Sequence, residues 1–513
     1  MNGAESLVRT LLAHGIDTCF ANPGTSEMHF VAALDQVPGM HCVLGLFEGV
    51  VTGAADGYAR IAGKPAATLL HCGPGLANGL ANLHNARRAH VPILNIVGDH
   101  ATYHRPLDAP LTADTEGWAR PVSAWTRTGT RAETVGADAA AAIQAAMTAP
   151  GGIATLILPS DVSWDEGGVV GTVQDVPPAP AVDQSAVDAA ATALRRGEKT
   201  VLLLADGALR AGPLATAHRI AAATGARIMA PTSNARVERG RGRHPVERVP
   251  YVIEHAIAAL KDVKHLILVG AAAPVGFFAY PGKPGMMQPA DAAIHVLARP
   301  EQDLAEALTR LADTLKAPAA VPAPDLPRPE LPGAGAINPE NVAQVVAALL
   351  PDDAIVVDES ISYGRAFLAR TAASGPHDWL QLTGGAIGAG LPLATGAAIA
   401  GRGRRVVTLQ ADGSALYTVQ ALWTQAREKL DVTTVILSNR KYAILLHELA
   451  NVGANPGRTA LDMLDLGNPS IDWTHVATGF GVEAAQADTL ERLADLLAMA
   501  NKRPGPFLIE LLI

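Results

Sequence analysis

Val406–Trp423 reads VVTLQADGSALYTVQALW. The β-branched and apolar run at its start predicts a strand over Arg405–Gln410, too short for a buried helix. Ala411, Asp412, Gly413 and Ser414 then form a polar turn, and helix-compatible sequence follows. A strand handing over to a helix through such a turn is half of a βαβ unit. The alternation recurs in ATLLHC (Ala67–Cys72), ILNIVGD (Ile93–Asp99), TVLLLADG (Thr200–Gly207), HLILVGA (His265–Ala271), AIVVDES (Ala354–Ser360) and VTTVILSN (Val432–Asn439). The expected class is therefore α/β, built from consecutive doubly wound parallel sheets wrapped by helices.

A chain of 513 residues exceeds a single core, and about 150 residues per domain suggests three. Two proline-rich stretches mark the divisions: DVPPAPAVDQ (Asp175–Gln184) and APAAVPAPDLPRPELPG (Ala317–Gly333). Prolines 318, 322, 324, 327, 329 and 332 prevent both helix and ladder pairing in the second. The expected boundaries are 1–170, 185–316, a linker at 317–335, and 336–513. Forty Lys and Arg against 49 Asp and Glu give a net charge of −9 without long runs of either sign, which disfavours nucleic-acid and membrane-surface partners. With 49% hydrophobic residues, no membrane-length apolar run and no leading basic-then-apolar signal, a soluble cytoplasmic protein is expected. Cys19, Cys42 and Cys72 are too dispersed for a zinc-type cluster of cysteines or a disulfide framework.

Asp412 and Asn439 follow two strands expected to be neighbours. A carboxylate and an amide oxygen at adjacent strand ends suit a hard divalent cation such as magnesium. Gly413 permits close backbone approach, and the following helix N-terminus favours a phosphate. An ordinary strand-to-helix turn with an Asp cap accounts for ADGS equally well. A second feature is VLGLFEGVVTGAADGYARIAG (Val43–Gly63), where eight of the first nine residues are apolar or glycine around a lone Glu48, and no Lys or Arg follows until Arg60. An unpaired carboxylate there is protonated, faces a cleft, or has a ligand docked against it; a solvent-facing glutamate at a helix start is the alternative.

The spacing from Ala411 to Asn439 resembles the signature of thiamine diphosphate enzymes, Gly-Asp-Gly followed at a distance by Asn-Asn. Ala411 and Ser438 depart from it, and neither change removes a ligand oxygen. The resemblance implies that Asp412, Asn439 and the Lys441 carbonyl bind Mg2+, with Gly413, Ser414 and Tyr442 beside the diphosphate. Residues DESIS (Asp358–Ser362) look like the family's diphosphate turn, with Ser362 as donor. LTGGAIGAGLPLATG resembles the segment in which Ile387 would wedge the cofactor into a V and the Gly385 carbonyl would receive the aminopyrimidine. Glu48, with the ADGYAR-like stretch after it, resembles the family's glutamate against the aminopyrimidine nitrogen, where a shared proton activates the cofactor. The family's three domains are pyrimidine-binding, central and diphosphate-binding, and its site forms between subunits. A homodimer is thus the minimum unit, and a homotetramer is expected. Some members hold FAD or a nucleotide in the central domain; here there is no strong dinucleotide fingerprint, the lone VGAAAPVG is weak evidence for anything, and FAD is not supported.

Within the family, the chain resembles benzoylformate decarboxylase and the acetolactate synthases. NPGTSE (Asn22–Glu27) places Thr25 against a substrate carboxylate, and LLHCGPGLANG (Leu69–Gly79) places His71 as a catalytic histidine. The decarboxylase's second histidine comes from a region that here reads FFAYPGKPG, which offers Tyr280 and Lys283; His104 is another donor candidate, with a solvated loop histidine as the plainer alternative. Leu111, Ile444 and Glu448 complete the expected pocket, and the last two argue against a flat phenyl site. The expected activity is decarboxylation of a smaller or more polar 2-oxo acid. The alternatives are acetolactate synthase-type carboligation of pyruvate, a catalytically silent thiamine diphosphate-binding paralogue, and a nicotinamide-dependent dehydrogenase on the same sheets.

Overall fold

The computed structural model describes residues 1–333 and 335–513; Ala334, inside the expected linker, lies outside the described residues. Three sheets follow one another along the chain. The first has six parallel strands in the spatial order His41–Leu44, Thr18–Ala21, Ala67–Leu70, Ile93–Asp99, Ile153–Pro159 and Trp125–Thr128. The second has five: Glu247–Arg248, Arg227–Ala230, Thr200–Leu204, His265–Val269 and Ala293–Ala298. The third has seven: Glu483–Ala487, Phe507–Leu512, Val432–Ser438, Val406–Ala411, Ile355–Glu359, His377–Gln381 and Arg236–Arg239. The central strands read as continuous apolar runs because helices cover both faces of each sheet. Among the described residues no helix is long and apolar enough to cross a membrane.

One strand departs from the parallel pattern. Arg236–Arg239, from the segment between the two proline-rich stretches, runs antiparallel along His377–Gln381 and forms an edge of the third sheet. Arg236 bonds Asp378 across that pairing at 2.8 Å, and Arg404 reaches the same carboxylate at 2.6 Å. One apolar core also runs from the second sheet into the third, from Val187 and Leu204 through Val237 to Val356 and Trp379. The proline-rich stretch 317–333 carries neither helix nor strand.

The first and third sheets meet through two helices, Glu48–Ala62 and Gly390–Ala400. Small residues let their backbones touch. A Cβ on Gly396 would lie 1.7 Å from the Ala54 carbonyl oxygen, and one on Gly57 2.1 Å from that of Leu393. Gly396→Ala is therefore expected to cost about 1–3 kcal/mol by overpacking, read as a lowered melting temperature; unchanged melting would contradict this contact. The ADGYAR stretch locks the same seam. Asp56 and Arg60, each with its side chain 1% exposed, form a two-bond ion pair at 2.7 Å. Arg60 then donates to the Gln381 carbonyl at 2.7 Å and the Ala235 carbonyl at 3.1 Å.

Candidate active site

In a doubly wound sheet, ligands collect where the strand order reverses, beyond the carboxyl ends. In the first sheet the reversal lies at Thr18–Ala21, flanked by His41–Leu44 and Ala67–Leu70. Asn22, Glu48 and His71 follow these three strands and converge there. Glu48 opens its helix, where the helix dipole favours a carboxylate. Its side chain is buried, the residue being 7% exposed, and accepts from Asn22 Nδ2 at 3.1 Å and Asn78 Nδ2 at 3.0 Å. Two carboxamides thus orient the lone glutamate without adding a charge. Sequence left its partners unidentified because Asn78 lies 30 residues away.

His71 is turned by a residue that the sequence reading passed over. Its Nδ1 lies 3.1 Å from both oxygens of buried Glu27, which also accepts from the Gly24 amide at 2.7 Å. Gly24 allows this approach, since a Cβ there would meet the imidazole at 2.2 Å. The available signal was the acid three residues after Gly24 in NPGTSE, a spacing that lets a side chain bond back to the start of a turn. Thr25 is exposed, whereas its neighbour Ser26 turns inward to His71 at 3.1 Å. His104 sits on an exposed loop, its ring 5.6 Å from that of His100, and Leu111 is half-buried farther along.

In the third sheet the reversal lies at Ile355–Glu359, between His377–Gln381 and Val406–Ala411. The strand expected over Arg405–Gln410 forms one residue later, and its last residue, Ala411, pairs with Leu437. Asp412 and Asn439 are thereby brought together at neighbouring strand ends. Asp412, 4% exposed, accepts from the Gly413 amide at 2.8 Å and the Arg440 amide at 2.6 Å. Burial pushes its carboxyl above the ordinary range, and a bound cation would offset that cost. Asn439 Oδ1 accepts from the Lys441 amide at 3.0 Å. The tight φ of +56° at Arg440 turns the chain back toward Asp412. Gly413 lies under Tyr442, where a Cβ would sit 2.6 Å from the ring, and Ser414 accepts from Gln410 at 2.6 Å. An all-oxygen donor set beside glycine backbone fits a hard cation carrying phosphate.

Glu359 is the second residue missed. Fully buried, it accepts from the amides of Gly388 at 2.7 Å, Ala389 at 3.3 Å and Gly390 at 2.7 Å, and from Gln410 at 2.9 Å. Burial raises its pKa while these donors lower it, and burial dominates. Glu359 thus pins the turn after Ile387. The other side of that turn is held by the first sheet's helix Cys72–Arg88: Asn85 exchanges two bonds with Ala386 at 2.7 and 3.1 Å, and His84 contacts the Gly384 carbonyl at 3.0 Å. Gly385 has φ +80°, open to glycine alone at low cost, and Phe277 covers it. Ile387 is half-buried. Ser362 is half-buried after Ile361, whose φ is +50°.

Tyr280 donates to Glu448 Oε2 at 2.7 Å, so the expected donor from the stretch between His265–Val269 and Ala293–Ala298 and an expected pocket residue on the helix after Val432–Ser438 bond directly; Ile444 is half-buried. Lys283 pairs with Glu254 and lies 5.3 Å over the Tyr280 ring.

The profile described as "Thiamine pyrophosphate enzyme, N-terminal TPP binding domain" matches residues 1–118, and "Thiamine pyrophosphate enzyme, C-terminal TPP binding domain" matches 364–511. The chain is 53% identical over 515 residues to "Putative acetolactate synthase large subunit IlvX" of Mycobacterium tuberculosis, covering 100% of this chain and 99% of that protein. It is 32% identical over 538 residues to benzoylformate decarboxylase of Pseudomonas aeruginosa, covering 98% and 96% respectively. A solved thiamine diphosphate-dependent 4-hydroxybenzoylformate decarboxylase of Rhodococcus jostii RHA1 superposes with a TM-score of 0.82 at 26% identity, over 99% of this chain and 98% of that one. The two switch points therefore belong to a thiamine pyrophosphate enzyme, of the branch that holds benzoylformate decarboxylases and acetolactate synthase large subunits.

Proposed function

We propose that the chain uses thiamine diphosphate and magnesium to cleave the carbon–carbon bond beside the carbonyl of a 2-oxo acid, with decarboxylation as its main reaction. The observation that carries this reading is the pair of buried carboxylates at the two switch points, Glu48 held by neutral amides and Asp412 held by backbone N–H groups. Residues 1–170, 185–316 and 336–513 serve as the pyrimidine-binding, central and diphosphate-binding domains, and a homodimer is the minimum active unit. Asp412, Asn439 and the Lys441 carbonyl hold the metal. Ser362, Gly413, Ser414 and Tyr442 flank the diphosphate, and the Gly385 carbonyl and Ile387 set the cofactor's bend.

Thiamine diphosphate, when bound, supplies the electron sink for bond cleavage. Glu48, buried between the Asn22 and Asn78 carboxamides, holds the proton that its site requires. His71, with Nδ1 toward Glu27, leaves Nε2 to move a proton at the substrate. Burial and Glu448 push the Tyr280 phenol well above its ordinary range, so it remains a hydrogen-bond donor at neutral pH. Ile444 and Glu448 favour a smaller or more polar side chain than phenyl. A second reading, carboligation of pyruvate, is supported by the name of the 53% identical relative.

Proton NMR of the purified chain with both cofactors separates the two. Benzaldehyde from benzoylformate, or another aldehyde from its parent acid, supports decarboxylation, whereas acetolactate from pyruvate supports ligation. Asp412→Ala is expected to abolish magnesium-dependent cofactor binding in calorimetry, a loss of at least about 100-fold; wild-type affinity would remove the metal assignment.

A further inference from the structure

The turn behind His71 gathers donor atoms of a different chemical kind from those at Asp412. Glu27 closes the turn Thr25–Glu27, His71 follows its strand, and Cys72 opens the helix Cys72–Arg88. His71 Nδ1 lies 3.1 Å from Glu27 and 3.8 Å from Cys72 Sγ. Ser26 Oγ lies 3.1 Å from the same nitrogen and 3.2 Å from the sulfur, and it donates to Glu27. The ligand atoms of Glu27, His71 and Cys72 all fall within 4.8 Å of one another. With bonds of about 2.0 Å to nitrogen or oxygen and about 2.3 Å to sulfur, a tetrahedral zinc shell with one sulfur has edges of about 3.3–3.5 Å. Four of the six separations among these atoms, Ser26–His71, Ser26–Cys72, Glu27–His71 and His71–Cys72, lie at 3.1–3.8 Å, near those edges, while the Ser26–Glu27 hydrogen bond is shorter and has to open for both oxygens to ligate.

The electrostatics point the same way. Asp99, 1% exposed, adds a second buried carboxylate beside the Cys72 thiol, and its Oδ2 lacks a hydrogen bond. The half-exposed Arg105 places its guanidinium 3.5 Å from that oxygen. Two buried carboxylates against one such cation leave a negative field that a bound cation relieves. A thiol, an imidazole and a carboxylate form a borderline-soft set, which selects zinc-class ions over magnesium. On binding, the thiol proton leaves to water and the metal takes its place.

We propose that Ser26, Glu27, His71 and Cys72 form a binding site for a zinc-class divalent cation, which by taking His71 Nδ1 fixes the ring proton on Nε2 and so withdraws His71 from proton exchange with the substrate. The withdrawal rests on the role proposed above for His71; the binding does not. Cobalt(II) titrated into the purified full-length chain, with magnesium and thiamine diphosphate at saturation, reports on the site directly. One equivalent should bind with a thiolate-to-cobalt charge-transfer band and tetrahedral d–d absorption, and zinc should displace it. Cys72→Ser should remove the band and weaken binding at least about tenfold, and Glu27→Gln should weaken binding about tenfold with the band retained. Cys42→Ser, at the exposed thiol, should change nothing. No charge-transfer band in the wild type would overturn the site, leaving only a hydrogen-bonded cluster. A band that survives Cys72→Ser, or vanishes with Cys42→Ser, would overturn it as well. Cobalt bound as expected while zinc leaves 2-oxo acid turnover unchanged would support the site and refute the withdrawal of His71.

Discussion

Glu48→Gln should bind thiamine diphosphate and magnesium with near wild-type affinity, yet turn over its 2-oxo acid about 10²–10⁴-fold more slowly, the usual contribution of a positioned proton-transfer group. The substitution keeps the shape of the side chain and removes its ability to hold a proton. It also turns an NH2 group toward one of the two carboxamide donors, Asn22 or Asn78, which now face both carboxylate oxygens. That local mismatch costs roughly 1–3 kcal/mol of stability, too little to unfold the chain. Calorimetry of cofactor binding beside steady-state kinetics separates the two effects. Substantial activity with cofactor bound would exclude Glu48 from proton transfer, and loss of both would make it a structural residue.

The second large effect is on stability. Arg60→Ala leaves the Asp56 carboxylate buried and unpaired and strips a donor from the carbonyls of Ala235 and Gln381. Breaking a buried pair from one side costs about 3–5 kcal/mol. Asp56→Leu combined with Arg60→Met removes both charges and should recover much of that loss. Melting temperatures of the wild type, the single variant and the double variant test this. A double variant as unstable as Arg60→Ala would show that the arginine's carbonyl bonds, rather than the ion pair, hold the seam.

Much of this architecture was legible in the sequence because its determinants are local. Apolar runs ending in polar turns gave the parallel sheets, and Asp412 with Asn439 could be placed at neighbouring strand ends before the register Ala411 to Leu437 was known. The resemblance added Glu48, whose isolation among apolar residues was itself a signal. What escaped depends on long-range geometry. Glu27 reaches His71 across 44 positions, and Glu359 reaches Gly388 across 29, with no periodicity to link them. Arg236–Arg239 was hidden for a related reason: four residues with two arginines and a glutamate lack a strand's apolar signature, and they gain their place from Asp378. ADGYAR, taken with the cofactor glutamate, proved to carry the Asp56–Arg60 lock as well.

The borrowed strand sets a rule for dividing this protein in the laboratory. A fragment beginning at residue 336 would lack Arg236–Arg239, leaving the backbone of His377–Gln381 as a raw border open to any extended peptide. Such fragments would stick to one another, so truncation products that begin near the proline-rich stretch would be lost to precipitation rather than persist as independent parts.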